Sequence, residues 1–176
     1  MNKVVKLSLI LFLVSAIVAG VLGLTNFVTE KPIAEYQAKK TAEAYSKVMQ
    51  FESYDEVEYT GDQSAVKKVY KTNDGNWIIE AEVSGSQGMI TVAVGVNSDL
   101  TCNGISIISS SETSGLGAKA ADTNEGAWRD NLVGQGDGMK LAKDSGDITA
   151  ISGATITSRA VVTEVQTVIN AAKSLG

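Results

Sequence analysis

The chain opens with a long apolar run, and shorter hydrophobic patterns follow it. Residues 7–29 contain no charged side chain, which is about the length a membrane-spanning helix needs, roughly 20 residues. A cleaved signal peptide is the alternative interpretation, but its apolar core is normally shorter, about 7–15 residues, and a small-residue cleavage site follows it. The pattern therefore favours a retained transmembrane helix over 7–29, preceded by a short N-terminal segment, 1–6.

A second helical pattern begins in the connecting region 30–64. Pro32 predicts a helix start, because proline is favoured at the first helical position. Small and apolar residues then recur at spacings of four and three, as they do on one face of a helix: Ala34, Ala38, Ala42, Tyr45 and Met49. We predict a helix that continues from the membrane segment and packs with this face on the domain that follows.

Residues 65–109 alternate between strand-like runs and turn residues. The runs "AVKKVYKT" and "WIIEAEVS" are separated by "NDGN", and an Asp-Gly turn between such runs is typical of a hairpin. Two further strand-like runs, "MITVAVGV" and "LTCNGISIIS", follow, and the turn residues "NSD" separate them. This part of the chain is predicted to form an antiparallel meander.

The last third of the chain is loop-rich and ends in a helical pattern. A long polar loop from residue 110 leads into a predicted helix that ends near Gly134, and "MKLAK" and "DITAI" are predicted as two short strands. Val161, Val165 and Val168 then place an apolar stripe on a C-terminal helix. The fold class is therefore α+β: one N-terminal transmembrane helix, then a single domain over 65–176 with an antiparallel sheet and flanking helices.

Composition excludes several kinds of chemistry. The net charge is −5 and the basic residues are scattered, so nucleic-acid binding is not expected. The chain has no His and a single Cys, Cys102. This excludes Ser–His–Asp and Cys–His catalysis, His-ligated zinc, c-type haem attachment and an iron–sulfur cluster built by this chain alone. Cys102 is predicted to be a buried structural residue, and any redox chemistry would have to reside on an organic cofactor.

Charges near the apolar run predict its orientation. Lys3 and Lys6 precede the run, whereas residues 30–40 carry both signs of charge. The positive-inside bias therefore places the N-terminus in the cytoplasm and the domain on the extracytoplasmic side of the cell membrane.

Two glycine-containing polar loops are candidates for ligand binding. The first, "DITAISGATITSRAVV", precedes the C-terminal helix and would place backbone N–H groups at one spot, as a phosphate site requires. The alternative is a helix N-cap formed by Thr157 or Ser158. The second loop, "ETSGLGAKA", has Gly115 and Gly117 around Leu116, which suits either a flat ligand or a tight turn. Together the loops favour a cofactor cradle.

These two motifs identify a family. "SGAT" followed by "ITSRAV" resembles the flavinylation motif of the FMN-binding domain of Rnf-complex G subunits and of the C subunits of sodium-pumping quinone reductases. "ETSGLG" resembles that domain's E-T-P-G-L-G signature, and the likeness extends over roughly residues 30–175. Two positions depart from the pattern: Thr149 stands where the motif has Asp, and Ser114 where it has Pro.

The resemblance implies a cofactor and a set of site residues. FMN would be joined by a phosphoester to the hydroxyl of Thr155, the last residue of the motif, by a separate flavin transferase. The remaining residues implied fall into three groups: Ser152, Gly153 and Ala154 would shape the loop, Thr157 and Ser158 would lie near the phosphate, and Glu112, Thr113, Leu116 and Gly117 would lie near the isoalloxazine ring. Trp128 could stack near that ring, although a place in the core is the favoured interpretation.

The resemblance also implies a role. The chain would be a non-autonomous electron-transfer subunit that acts with the A, B, C, D and E subunits of an Rnf-type complex, in which electron transfer between ferredoxin and NAD⁺ is coupled to Na⁺ or H⁺ translocation. One alternative is a free-standing extracytoplasmic flavoprotein of electron transfer. Another is a pilin-like structural subunit, although the sequence lacks the leader site that pilins carry.

Overall fold

The computed structural model describes residues 2–122, 124 and 127–176. These residues divide into two compact units, one reaching Lys40 and the other comprising Thr41–Gly176. Helix α1, Lys3–Val48, accounts for the first unit and contributes its last residues to the second. Among the described residues, α1 is the one helix that is long and apolar enough to cross a membrane.

The predicted helix start at Pro32 is wrong, because Pro32 lies inside α1. A proline within a helix removes one backbone hydrogen bond and costs about 3 kcal/mol. The run that follows Pro32 is rich in Ala, Lys, Glu and Gln, which are strong helix formers, so the helix continues through this position.

The face of α1 that packs on the domain also differs from the prediction. Tyr45 and Met49 are buried as expected, but Ala42 is exposed, and Ala44 and Val48 are buried in its place. Only the last turn of α1 therefore makes the contact within the second unit, and the helical stripe predicted from residue 34 onward does not extend along it.

The second unit contains a five-stranded antiparallel sheet in which spatial order equals sequence order. The four strands predicted from alternation are present, and one short edge strand precedes them. The strands are β1 Tyr54–Val57, β2 Val66–Thr72, β3 Trp77–Ser84, β4 Met89–Val96 and β5 Cys102–Ser110. The predicted Asp-Gly turn joins β2 to β3, with Gly75 at φ +79°.

Helices cover both faces of this sheet, and the alternation of side chains decides which residues face which helix. Val92 and Val94 belong to the main core together with Val161 and Val165 of helix α2, Thr155–Leu175. Ala93, on the opposite face of β4, belongs to a smaller core with the end of α1. Strand β4 is therefore apolar on both faces, because both are buried.

Residues 111–154 form less regular structure than predicted. The described part of 110–134 contains two short 3₁₀ helices, Gly117–Ala121 and Trp128–Leu132, in place of the predicted helix. The two predicted short strands are absent from the described residues, and a single parallel bridge joins Leu141 to Ile148. The segment between these two positions contains a 3₁₀ turn, Ala142–Asp144, and is too short to connect two extended parallel strands.

Two side chains, Trp128 and Cys102, bear out the prediction that they belong to the core. Trp128 is half-buried against the main core, and its Nε1 donates a hydrogen bond of 2.6 Å to the carbonyl oxygen of Thr149. Cys102 is fully buried at the start of β5. Burial raises the pKa of the Cys102 thiol to about 12, so it remains protonated and inert.

Candidate functional site

The S-G-A-T loop is closed by a buried hydroxyl that lies just beyond it. Ser158 is fully buried, its Oγ accepts a 2.9 Å hydrogen bond from the backbone N–H of Ile151, and it donates one of 2.9 Å to the carbonyl oxygen of Ala154. Gly153 adopts φ +76°, a conformation that costs glycine little. The loop is therefore fixed from beneath by the helix that it precedes.

The N-terminus of α2 has no side-chain cap among the described residues. Its N-cap residue is Ala154, and Thr155 is the first helical residue. The interpretation in which Thr157 or Ser158 caps the helix is therefore wrong, because both lie within the first turn. The N–H groups of the first three helical residues, Thr155, Ile156 and Thr157, precede the first intrahelical hydrogen bond, and together with the helix dipole they favour an anion at this end.

Glu112 joins three segments of the chain. Its Oε1 accepts hydrogen bonds from the backbone N–H groups of Ser86 (2.7 Å) and Gln87 (3.0 Å) in the β3–β4 loop. Its Oε2 accepts one of 2.5 Å from the hydroxyl of Thr157 in α2. Both carboxylate oxygens therefore accept hydrogen bonds from the protein, and Glu112 connects the β3–β4 loop to α2 at the site.

The hydrogen bonds to Glu112 stabilise its charged form. Burial acts to raise the pKa of this carboxyl, but the hydrogen bonds from Thr157 and from the backbone at residues 86–88 act more strongly together and lower it below its usual range. Glu112 is consequently ionised at neutral pH, and the three segments stay connected.

Gly117 leaves room for the contact between Glu112 and Thr157 because it lacks a side chain. A Cβ at this position would lie 2.7 Å from Thr157 Oγ1 and would also collide with Glu112 Oε2. At Gly153 a Cβ would lie 3.0 Å from Cδ2 of Leu116, so the two sequence motifs touch through these glycines. The two loops are far apart in sequence but are in contact in the folded chain.

A cavity of about 550 Å³ lies between these loops. Its volume is within the range of about 300–1,000 Å³ that is usual for sites of small organic ligands. The residues that line it are Ser86, Gln87, Glu112, Thr113, Leu116, Gly117, Lys143, Gly153, Ala154, Thr155, Ile156 and Thr157. Leu116 and Ile156 are 44% and 60% exposed, which leaves apolar side chains at its surface available for contact.

Most of the residues implied by the resemblance meet at this cavity. Seven line it together with Thr155: Glu112, Thr113, Leu116, Gly117, Gly153, Ala154 and Thr157. Ser152 is exposed and does not line it, and Ser158 lies beneath the loop. Sequence reasoning missed Lys143, Ile156 and the loop that carries Ser86 and Gln87.

The missed loop had a signal that could have been used. It lies within "GSQG", and a Cβ on the first of these glycines, Gly85, would lie 2.7 Å from Ile90 Cδ1 and would collide with the Glu112 carboxylate. The two glycines of this loop therefore indicated a place where another part of the chain packs closely against the backbone. Lys143 had no comparable signal, because only the folded chain brings it to Thr155.

The arrangement fits a phosphorylated cofactor with a flat ring. The uncapped start of α2 and the Lys143 ammonium supply positive charge at one side of the cavity, and Leu116 and Ile156 supply apolar surface. FMN has this combination of a phosphate and an aromatic ring. Fold and cavity together define a small α+β flavin-binding domain that follows a helix of membrane-spanning length.

Comparison with known proteins gives the family. The sequence model of the FMN-binding domain matches residues 85–170, and that of the RnfG N-terminal region matches residues 1–48. The chain belongs to the family of G subunits of ion-translocating oxidoreductase complexes. This excludes the pilin-like alternative.

Three relatives illustrate the similarity. The G subunit of the Na⁺-translocating ferredoxin:NAD⁺ oxidoreductase complex of Acetobacterium woodii is 35% identical, over 98% of this chain and 93% of the relative. The G subunit of the ion-translocating oxidoreductase complex of Methanosarcina acetivorans is 33% identical, over 92% of this chain and 90% of the relative. The Vibrio atlanticus protein of that same name is 28% identical, over 94% and 88%.

Proposed function

We propose that this protein is a membrane-anchored flavoprotein that relays electrons within an Rnf-type complex, with FMN joined covalently to the hydroxyl of Thr155. The complex would couple electron transfer between ferredoxin and NAD⁺ to the movement of Na⁺ or H⁺. The A, B, C, D and E subunits of the complex would be its partners, and a flavin transferase would attach the cofactor. The names of the relatives favour this role over that of a free-standing flavoprotein.

The observation that carries the covalent part of the proposal is the position of Thr155. Its hydroxyl lines the cavity at the first helical residue of α2, and the residue is half-buried, so Oγ remains accessible to an attaching enzyme. Ser158 and Thr157 use their hydroxyls in hydrogen bonds to the protein. Of these three hydroxyl groups, that of Thr155 is the one that donates no hydrogen bond to another described residue.

Each group in the cavity would then have a defined task. Bound FMN supplies reversible electron transfer through its isoalloxazine ring. The N–H groups at the start of α2 would stabilise the charge of the phosphoester, and Leu116 and Ile156 would contact the ring. Glu112 would hold the β3–β4 loop and α2 at a fixed separation, so that the ring and phosphate positions do not drift apart.

The position of the domain relative to the membrane is part of the same proposal. We propose that it lies on the extracytoplasmic side, as Lys3 and Lys6 before the apolar run favour. A covalent bond has a physical advantage there, because a flavin that dissociated outside the cytoplasm would be lost to the cell, whereas a tethered one keeps a fixed local concentration.

Covalent attachment is tested by intact mass. The full chain is co-expressed with a flavin transferase, and its mass and in-gel flavin fluorescence after denaturation are recorded. We expect a gain of one FMN less one water in the wild type and in Thr155→Ser, which keeps a hydroxyl, and no gain in Thr155→Ala. Thr163→Ala is the matched control, because Thr163 is an exposed threonine two turns further along α2.

A wild-type chain without added mass would contradict the covalent linkage. The first cause to examine would be Thr149, which stands where the motif has Asp, and Thr149→Asp would test it. Added mass that survives in Thr155→Ala would place the bond on another residue, which peptide mapping would identify.

A further inference from the structure

Lys143 reaches the hydroxyl at which we propose the flavin is attached. Its Nζ donates a 3.1 Å hydrogen bond to Thr155 Oγ1, and it lines the same cavity. The salt bridges found among the described residues do not include Lys143. An ammonium group thus lies beside the reacting oxygen, and no carboxylate of the described residues lies within salt-bridge distance of it.

An ion pair on the neighbouring residue holds the Lys143 segment against α2. Arg159 donates two hydrogen bonds to the Asp144 carboxylate, from Nε (2.7 Å) and from the second guanidinium nitrogen (2.8 Å). The hydrogen bond from Arg159 lowers the pKa of Asp144 below its usual range, so the pair persists at neutral pH. This two-point contact links the 3₁₀ turn Ala142–Asp144 to the first turns of α2 and fixes the backbone from which Lys143 extends.

We propose that Lys143 is the phosphate-binding cation of this cavity, positioned by the Asp144–Arg159 pair. The assignment rests on the proposed function, since it assigns a partner to the phosphate of that flavin. A phosphodiester on Thr155 Oγ carries one negative charge, and its bridging oxygen is the atom that Lys143 already contacts. The single positive charge of Lys143 matches it, while the Glu112 carboxylate is occupied by its own donors.

Lys143 also distinguishes FMN from flavins that lack a phosphate. The ring contacts would be common to FMN and riboflavin, so an ammonium that acts on the phosphate strengthens binding of FMN alone. Lys143 is exposed, so part of its effect is screened by salt. The expected size is about that of one charge-assisted hydrogen bond, roughly tenfold in affinity, which corresponds to about 1.4 kcal/mol.

The test is equilibrium binding of FMN and of riboflavin to the full-length protein that carries no flavin, followed by quenching of flavin fluorescence. No transferase is present, so binding is measured apart from attachment. We expect Lys143→Met to weaken FMN binding about tenfold and to leave riboflavin binding unchanged. Lys143→Arg should retain most of the FMN affinity, and the advantage of FMN over riboflavin should shrink as salt is raised.

Two further variants separate a local effect from a general one. Lys140→Met removes a charge three residues away that does not line the cavity, and it should leave FMN affinity within twofold of the wild type. Asp144→Asn keeps Lys143 but weakens its support, and it should reduce FMN affinity by a smaller factor than Lys143→Met. Circular dichroism confirms that each variant is folded.

Equal FMN affinity in the wild type and Lys143→Met would overturn the assignment, as would an equal loss of riboflavin binding or an equal loss in Lys140→Met. These outcomes leave the proposed attachment untouched, because it is read separately from the mass of the co-expressed Thr155→Ala variant. Conversely, a wild-type chain that binds FMN through Lys143 but gains no mass would contradict the covalent bond alone.

Discussion

Glu164 shows how far burial can change the behaviour of one residue. It lies in α2 with 3% of its surface exposed, and its Oε1 has no hydrogen-bond partner among the described residues. Burial raises the pKa of this carboxyl to about 7, from the ordinary value of 4.5. Glu164 is therefore protonated in the folded protein under mildly acidic conditions and becomes charged within the core as the pH rises.

Stability should consequently fall as the pH rises from about 5 to 8. Between the unfolded and folded pKa values the folded state binds the extra proton, so raising the pH destabilises it, by up to about 3 kcal/mol for this shift. We expect Glu164→Gln to remove this decline. Urea unfolding of the full chain at several pH values measures it through Trp77 and Trp128, both in the domain.

The control for this prediction is Glu52→Gln, an exposed carboxyl in the same unit, which should follow the wild type at every pH. Wild-type and Glu164→Gln unfolding free energies that stay parallel across the range would show that Glu164 does not titrate in it.

For individual site residues, the sequence predicted those that belong to a recognisable motif. It missed those that only the folding of distant segments brings to the cavity. Thr155 and Glu112 stand in recognisable motifs, and both line the cavity. The task of Glu112 could not be predicted from its motif, because its donors lie in α2 and in the β3–β4 loop. Lys143 lies in a segment without periodicity, and only the folded chain brings it to Thr155, beside the ion pair of Asp144 with Arg159.

Among the elements, the smaller core shows a close backbone contact made possible by glycine. Gly95 of β4 and Gly104 of β5 are register partners, and a Cβ on either would lie 2.7 Å from the carbonyl oxygen of Val48, the last residue of α1. The end of α1 therefore rests directly on the backbone of the sheet. A side chain at either glycine would separate the two.

We expect Gly104→Ala to lower the free energy of unfolding of the domain by about 1–3 kcal/mol, the usual cost of overpacking. Gly136→Ala is the matched control, since a Cβ there would meet nothing closer than the carbonyl oxygen of Leu100 at 3.8 Å. Urea denaturation compares the two variants. A Gly104→Ala protein as stable as Gly136→Ala would mean that α1 can move away from the sheet at little cost.

Most regular elements were predictable because the sequence marks them with apolar residues. Strands β2 to β5 stand out as runs rich in β-branched and aromatic residues between turn residues, and helix α2 carries an apolar stripe. The edge strand β1, "YDEV", has mainly polar, exposed positions and gave no such signal. The 3₁₀ helices escaped prediction because three to five residues are too few to show a period.

For the whole molecule, the central prediction concerns the side of the membrane on which the domain lies. Asp62→Cys introduces an exposed thiol in the second unit, just before the domain, and Asn2→Cys introduces one before the apolar run. A membrane-impermeant maleimide added to intact cells should label Asp62→Cys at once and Asn2→Cys only after permeabilisation. The unaltered protein is the blank, because its Cys102 is buried. The reverse labelling pattern would place the domain in the cytoplasm.

The order of segments around the cavity determines how late in synthesis the cavity can form. Each strand of the sheet pairs with the one before it in sequence, so the sheet can grow step by step during synthesis. The cavity draws on the β3–β4 loop, the Glu112–Gly117 segment and the start of α2, so it forms only after α2 has docked. If FMN is attached at Thr155 as we propose, a chain that ends before α2 would lack both the attachment residue and the helix that completes the main core against the sheet. Attachment would then be possible only on molecules whose folding has reached the C-terminal helix.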